Sequence, residues 1–565
     1  MAVLREKRIR ACAKNLANNI RAENISYSSY LDLYSGVENV ENIDNINNTV
    51  IYGRRGSGKT HLLRALKERI LERIDNDRNL PVYIDLRRII PVLSSDSQDP
   101  DVDSILIFKH VVQDVAYECA SAIPRLFDIN EFDEKNTQIL NSKRVKVEEG
   151  IKKIYLEFDG REYTKPRKLR VSVGEVQSLG LEAKLGRSPS LSATGKGEKS
   201  RQQDVSQDKY ISVLEVSNEI DRLIDNLDLN RITILLDEWS EIALPTQLML
   251  AELIKKNFSA ISVSVKIAAI PNRTNLGIKT EKKFVGLEDG GDISSYPLDM
   301  RYVFEVNRAQ TRDFFNDLLL RHLRAIDENA VKDILADSKK SDASLINIFF
   351  ANVALNEILI ACAGVPRDFM NLFLNSYDKF LLSGSSSSRI SVKDLRSANL
   401  EWYESDKKEQ VDKHPVERQL LEAIVHEIVG VKKSMHFLLP EKYAQNKHIQ
   451  NLIDFRVMHL RRSGYSHKDH AGVVYNVYSI DYGCHNSLNI QKSKLDSSVL
   501  EGLSVKDLRD IRRISLEDKF FSQFLLSVGE AFPCPSCNRP IDTNHLAYVK
   551  QGLCNHCFDK VEKAA

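Results

Sequence analysis

Residues 53–60 read Gly-Arg-Arg-Gly-Ser-Gly-Lys-Thr, and no other stretch limits the fold of this chain as sharply. The octapeptide fits G-x-x-x-x-G-K-[ST] at every position. Residues 48–52 (NTVIY) run into it as a short strand, and residues 61–66 (HLLRAL) leave it as a helix. A phosphate cradle needs that setting. Glycines let backbone N–H groups turn inward around an anion, and the start of a helix adds its positive dipole. On this reading Gly53, Arg54, Arg55, Gly56, Ser57 and Gly58 form the cradle. Lys59 reaches the β- and γ-phosphates of ATP, and the Thr60 hydroxyl takes one position on Mg2+.

The second half of such a site belongs at the end of another buried strand. Residues 231–236 (RITILL) form a continuous apolar run that ends in Asp237 and Glu238. Such a run suits a parallel strand covered on both faces, and carboxylates past its C-terminal end meet the ligand crevice of an open α/β sheet. Asp237 is placed to hold Mg2+. Glu238 is placed to orient and polarise an attacking water, which predicts ATP hydrolysis rather than passive binding. A third strand, 263–270, runs into Pro271-Asn272-Arg273. Asn272 either contacts the γ-phosphate and its water or serves only a Pro-Asn turn. Further on, Gly364-Val365-Pro366-Arg367 sits between helical stretches and puts Arg367 at a helix start. Its fixed charge and planar fork suit a phosphate there, the alternative being a solvated arginine on the first turn of a helix.

The set GRRGSGKT, ILLDEWSEI, KIAAIPNRTN and GVPRDF, in that order, resembles the AAA+ ATPases. Within them it is similar to the origin-recognition (ORC-like) initiator type, and to a bacterial group of ORC-like ATPases, over roughly residues 25–485. The resemblance implies that Asn272 is sensor 1 and Arg367 sensor 2. It also implies an arginine finger offered to a neighbouring subunit just before residue 302, with Arg301 the nearest candidate and Lys282 and Lys283 behind it. Such ATPases are expected in plasmid, transposon or anti-phage defence modules. The expected fold is α/β: the P-loop AAA+ parallel sheet, the helical lid and the winged helix accord with the resemblance, and a β-rich insertion and a C-terminal zinc ribbon are read from the residues themselves.

Composition shifts divide the 565 residues further. We expect an N-terminal helix over 1–30, a nucleotide-binding core over 31–135 and 211–305, and between them an insertion over 136–210. Alternation in 154–158 (IYLEF) and 169–173 (LRVSV) makes that insertion β-rich, and 185–207, rich in Gly, Ser and Lys, reads as a mobile loop. A helical lid follows over 306–382, and the serine run of 383–388 opens a linker that extends to 412. Residues 413–490 read as three helices and a strand pair, a winged-helix-like order, with Arg456, Arg461 and Arg462 on the third helix and Lys468 in a turn. Those basic residues either contact double-stranded DNA or form a solvated face. A helical linker with Lys506, Arg509, Arg512 and Arg513 spans 491–530. The formal net charge of +1 supplies no global field toward nucleic acid, so any such contact must be local. No apolar run is long enough to span a membrane and the first twenty residues have no signal-peptide pattern, so a cytoplasmic protein is expected.

The tail, 531–565, holds the other sharp signal. Cys534-x-x-Cys537 and Cys554-x-x-Cys557 carry four of the chain's eight cysteines. Two such pairs offer four thiolates that close tetrahedrally on a structural Zn2+. Four scattered single cysteines elsewhere argue against an oxidising compartment and hence against disulfides. Two function classes follow. One is an ATP-hydrolysing machine that assembles with copies or partners, or engages DNA. The other is a nucleotide-state switch or scaffold with little turnover that senses a partner and recruits an effector.

Overall fold

Strand β1 (Thr49–Tyr52) turns Val50 to one face of a sheet and Ile51 to the other, and both are fully buried. The same alternation repeats in β2 (Asn79–Asp85), β3 (Arg231–Asp237) and β4 (Val263–Ala269). Ile234, Leu236 and Ile267 side with Val50, whereas Leu235 and Ala268 side with Ile51. A period of two with both faces apolar demands cover on both sides. The helix Lys59–Glu72 supplies one cover with Leu62, Leu63 and Leu66. The helices Pro100–Leu126, Val213–Asn226 and Leu244–Phe258 supply the other, led by Phe108, Val111, Ile220 and Leu250. A short hairpin, β5 (Gly277–Lys279) with β6 (Phe284–Gly286), precedes the edge strand β7 (Ser294–Pro297). The sheet order is β2-β3-β4-β1-β7, parallel throughout.

The computed structural model describes residues 3–25, 29–92, 99–127, 134–159, 213–281, 283–337, 344–384, 387–444, 446–466, 472–484, 514–516, 518–543 and 546–561. By their contacts these form two bodies. The first, Ser28–Gly53 with Gly58–Leu298, contains the sheet; the second joins Met1–Tyr27, Arg54–Ser57 and Asp299–Ala565. No helix among the described residues is long and apolar enough to cross a membrane.

The β-rich insertion is corrected in the first body. Residues expected as the strand 154–158 lie inside a helix, Glu134–Asp159. Val147, Ile151 and Ile154 recur at helical spacing and pack in one cluster with Val216, Ile220 and Leu223. That stripe outweighs the short alternation that follows it, because five residues of alternation can also be one flank of a helix. The expected strand 169–173 and loop 185–207 lie outside the described residues.

In the second body, the helices Arg308–Asp337, Asn352–Ala361 and Pro366–Leu382 enclose an aromatic core. Phe315, Phe349, Phe369, Phe373 and Tyr377 lie within it, joined by Ile9 and Cys12 of the N-terminal helix Lys7–Asn15. The helix Val392–Trp402 continues into a π-helical segment, Tyr403–Lys407. Next come the helix Pro415–Val425, β8 (His436–Pro440), the helix Lys447–Asp454, β9 (Met458–Ser466) and β10 (Val474–Ile480). The strands pair antiparallel in the order β8-β10-β9. The winged-helix-like region therefore holds a strand where the sequence suggested a third helix. Arg456 ends the preceding helix in a left-handed turn, and Arg461 and Arg462 lie on β9. From the expected linker, the helix Asp518–Ser527 packs Phe521, Phe524 and Leu525 into the core of this module; Lys506, Arg509, Arg512 and Arg513 lie outside the described residues. The tail forms a hairpin of β11 (Ala531–Pro533) and β12 (Pro540–Asp542), followed by the short helix Leu546–Gln551.

Candidate nucleotide site and metal centre

β1 delivers the octapeptide to the C-terminal end of the sheet, where the Gly53 N–H donates to the Ala269 carbonyl at 3.2 Å. Gly58 has φ +93° at the residue that opens the helix Lys59–Glu72, a backbone state that glycine adopts without a steric penalty. The Lys59 ammonium donates to the Gly53 carbonyl at 2.7 Å, so it is folded over its own loop. Thr60 sits in the first helical turn.

Asp237 ends β3 with its side chain buried, and its two oxygens are already oriented. The Tyr83 hydroxyl of β2 donates to one at 2.8 Å, and the Glu238 N–H donates to the other at 2.9 Å. An anchored carboxylate of this kind, with the Thr60 hydroxyl, fits the hard oxygen ligands that Mg2+ takes. Glu238 itself holds φ +58°, a left-handed state that is costly for a non-glycine residue and that recurs at functional tips. Its carboxyl is held above the usual range by burial and by Asp237, while Arg87 and Lys59 pull it back. Arg87, just past β2, stands 3.5 Å from Glu238 and also pairs with Asp85 at 2.7 Å. Tyr83 and Arg87 carry no sequence signal of their own: Tyr83 lies inside β2 and Arg87 just past its end, and the pairing of β2 with β3 sets both beside the acidic pair. Asn272 lies half-buried in the turn Pro271–Arg273 at the tip of β4. Gln247 and Ser240 fix that tip: Gln247 donates to the Arg273 carbonyl at 3.0 Å, and the Ser240 hydroxyl accepts from the Ile270 N–H at 2.7 Å.

The residues Arg54–Ser57 pack within the second body. Arg54 is only 6% exposed. Its Nε pairs with Asp299 at 2.6 Å, and one terminal nitrogen donates to the Ala363 carbonyl at 2.7 Å. Gly56 has φ +85°, its carbonyl accepts from the Arg367 N–H at 3.2 Å, and a Cβ there would come within 2.8 Å of the Arg367 Cβ. Arg367 stands at the start of the helix Pro366–Leu382. Burial, with Arg456 and Arg21 nearby, lowers its guanidinium, so an anion would be welcome beside it. Arg301 lies half-exposed in the turn Asp299–Tyr302. Lys283 pairs with Glu252 at 3.9 Å, and Lys282 lies outside the described residues.

A family model described as ORC-CDC6-like matches residues 15–349, more than half of the chain. The chain belongs to the ORC-CDC6-like family. Its AAA+ character accounts for the parallel sheet with the glycine-rich loop and the acidic tip on two of its strands. None of the curated proteins matches the chain. Among solved structures, this ORC-CDC6-like protein is similar to the Aeropyrum pernix Orc1 protein in complex with DNA, at 13% identity over 82% of this chain and 92% of that one. The TM-score is 0.26.

The basic face expected on the winged-helix-like module is corrected. Arg456 is buried and paired with Asp368 and Asp406. Arg461 is buried too, pairing with Glu305 at 3.3 Å and donating to the Ser479 hydroxyl at 2.7 Å. Both serve the interior, and Arg462 is the exposed one of the three. Sequence spacing missed this because the burial of these arginines depends on acids 50 to 156 positions away.

The four tail cysteines converge as expected, with their sulfurs all within 4.8 Å of one another. Cys534 and Cys557 lie 3.7 Å apart, as do Cys537 and Cys554. Four thiolates held about 2.3 Å from a tetrahedral Zn2+ would be separated by about 3.8 Å, a spacing that both of these pairs match. The two turns are copies of each other. Cys534 N–H donates to the Arg539 carbonyl and Cys554 N–H to the Asp559 carbonyl, and the residues after each pair, Asn538 and Phe558, are left-handed. All four sulfurs serve the cage, which leaves a structural ion no open position. Metal analysis of purified protein should find about one zinc per chain, with Cys534→Ser/Cys554→Ser holding none. Full zinc content in that double variant would place the metal elsewhere.

Proposed function

We propose that this ORC-CDC6-like protein binds and hydrolyses ATP, and that the nucleotide cycle drives its assembly or its engagement of DNA. The observation that carries this reading is the Asp237–Glu238 tip, a buried and oriented carboxylate followed by a strained, partly accessible glutamate. Lys59 would meet the β- and γ-phosphates. Thr60 and Asp237 would hold Mg2+, which supplies charge neutralisation on the phosphate oxygens. Glu238 would accept a hydrogen bond from the water that attacks the γ-phosphorus, as the bond to the leaving ADP oxygen breaks. Asn272 would fix that water from the neighbouring strand tip, Arg367 would contact the γ-phosphate, and Arg301 would serve a neighbouring copy.

The switch reading keeps one observation in its favour. Arg87 lies against Glu238, a resting contact that a partner would have to release before turnover. Steady-state ATP hydrolysis with and without double-stranded DNA separates the two, with Lys59→Ala as baseline. DNA-stimulated turnover that Lys59→Ala abolishes is expected; nucleotide retained without turnover in either condition would favour the switch. For contact with the duplex, Arg462 is the residue of its trio to substitute. The bacterial likeness would place the activity in plasmid, transposon or anti-phage modules, and phage challenge of cells carrying Lys59→Ala tests that setting.

A further inference from the structure

The phosphate loop contributes one side chain that its motif does not require. Arg54 occupies a free position of the octapeptide, yet it is buried and fully engaged. Besides Asp299 and the Ala363 carbonyl, it reaches His459 on β9 of the winged-helix-like module, with Nη1 to Nδ1 at 3.0 Å. An arginine can only donate, so Nδ1 of His459 is the acceptor and the ring's proton is on Nε2. Nε2 lies 3.1 Å from Asp481, at the end of β10, and donates to it. The imidazole is thereby neutral and of fixed tautomer, in line with the burial and the two arginines that hold its pKa down to about 3.

The relay does not stop at Asp481. Lys407 pairs with Asp481 at 2.6 Å and lies 3.7 Å from Asp368. Lys407 comes from the π-helical segment Tyr403–Lys407, a bulge form that recurs at functional sites. Asp368 also holds Arg456, and it is the neighbour in sequence of Arg367, whose N–H grips the Gly56 carbonyl. The loop segment is thus gripped twice, by the Arg54 side chain and at Gly56, and both grips lead to the same buried cluster of His459, Asp481 and Lys407. A cluster this dry has few alternative arrangements, because each unpaired charge would carry a large desolvation cost.

We propose that Arg54 is a positioning residue of the phosphate loop and that His459 of the winged-helix-like module positions it, so that nucleotide affinity follows the state of that module. The inference rests on the nucleotide-binding reading above. Anything that shifts β9 alters the loop that must close around the phosphates. Neither Arg54 nor His459 needs to touch the nucleotide for this to hold.

The test is ATP affinity by equilibrium titration in full-length wild type, Arg54→Lys, His459→Leu, His459→Gln and the Arg54→Lys/His459→Leu double variant. Lysine keeps the charge beside Asp299 but has no fork to span Ala363 and His459. Glutamine keeps a donor and an acceptor on one planar group. Arg54→Lys and His459→Leu should each weaken binding by about tenfold or more, the scale of one lost hydrogen bond to a charged group. The double variant should lose no more than the worse single one, and His459→Gln should recover most of the affinity. A merely structural role would instead give additive losses and no rescue, and either result overturns the proposal. Should His459→Leu fail to fold, Arg54→Lys decides with His459→Gln: wild-type affinity in Arg54→Lys overturns it. Wild-type protein that binds ATP no better than Lys59→Ala would overturn the nucleotide reading itself, an outcome distinct from these.

Discussion

Glu238→Gln should leave ATP bound and cut its hydrolysis by about a hundredfold or more, the range ascribed to a positioned acid–base group. The amide keeps the size of the side chain and its place after Asp237, but it removes the charge that draws the attacking water. The starting point favours a large effect. Burial and Asp237 push the Glu238 carboxyl up, and Arg87 and Lys59 counter that push; upward is the direction in which a glutamate is tuned for general-base work. Single-turnover hydrolysis and nucleotide retention, measured side by side, read the two effects separately. An unchanged rate would move water activation to another residue.

Asp481→Ala should destabilise the second body by about 3–5 kcal/mol, the cost of stranding buried charges whose partner is gone. Lys407 would lose its closest carboxylate and the Nε2–H of His459 its acceptor, both with almost no solvent access. Chemical unfolding across pH tests the same cluster from a second side. His459 is neutral in the fold, its pKa held down to about 3, whereas an unfolded histidine titrates near 6.5. Between those values the unfolded chain binds the extra proton, so stability is full above about pH 6.5 and falls as the solution is acidified, by up to about 1.4 kcal/mol per pH unit for each such group. His322, held down to about 4 by burial, adds to the upper part of that window. Asp481, whose carboxyl Lys407 and His459 keep well below the usual range, adds its share at lower pH. A flat profile from pH 7 to 4 would contradict the buried, neutral assignment of His459.

What could be read from the sequence was whatever is written locally. The octapeptide, the apolar run ending in Asp237 and Glu238, and the paired cysteines each encode their geometry within a few residues, and the structure keeps all three as elements. The misreadings arose where a pattern was short or where its meaning depended on distant residues. Ile154 fits a strand and a helix equally until Leu223 and Ile220 are known to face it. Arg456 and Arg461 look like a basic face until Asp368 and Glu305 are known to enclose them. Tyr83, which orients Asp237, is an ordinary strand tyrosine in sequence. Arg54 and His459 stand 405 positions apart, and neither belongs to a periodic pattern that would have paired them.

The grip on Arg54 bears on how this chain can be recombined with others. An octapeptide that satisfies the motif is usually treated as a portable cassette, and a C-terminal module as an interchangeable part. Here the two are in direct contact, Arg54 against His459. Moving GRRGSGKT into a related scaffold would import a buried guanidinium without Asp299 and His459 to receive it. A chimaera that replaces the module beyond residue 413 must carry over the His459 and Asp481 positions, or replace Arg54 along with it. The natural seam for exchange is therefore not a linker but a set of residues that touch in the fold while lying 405 positions apart in the chain.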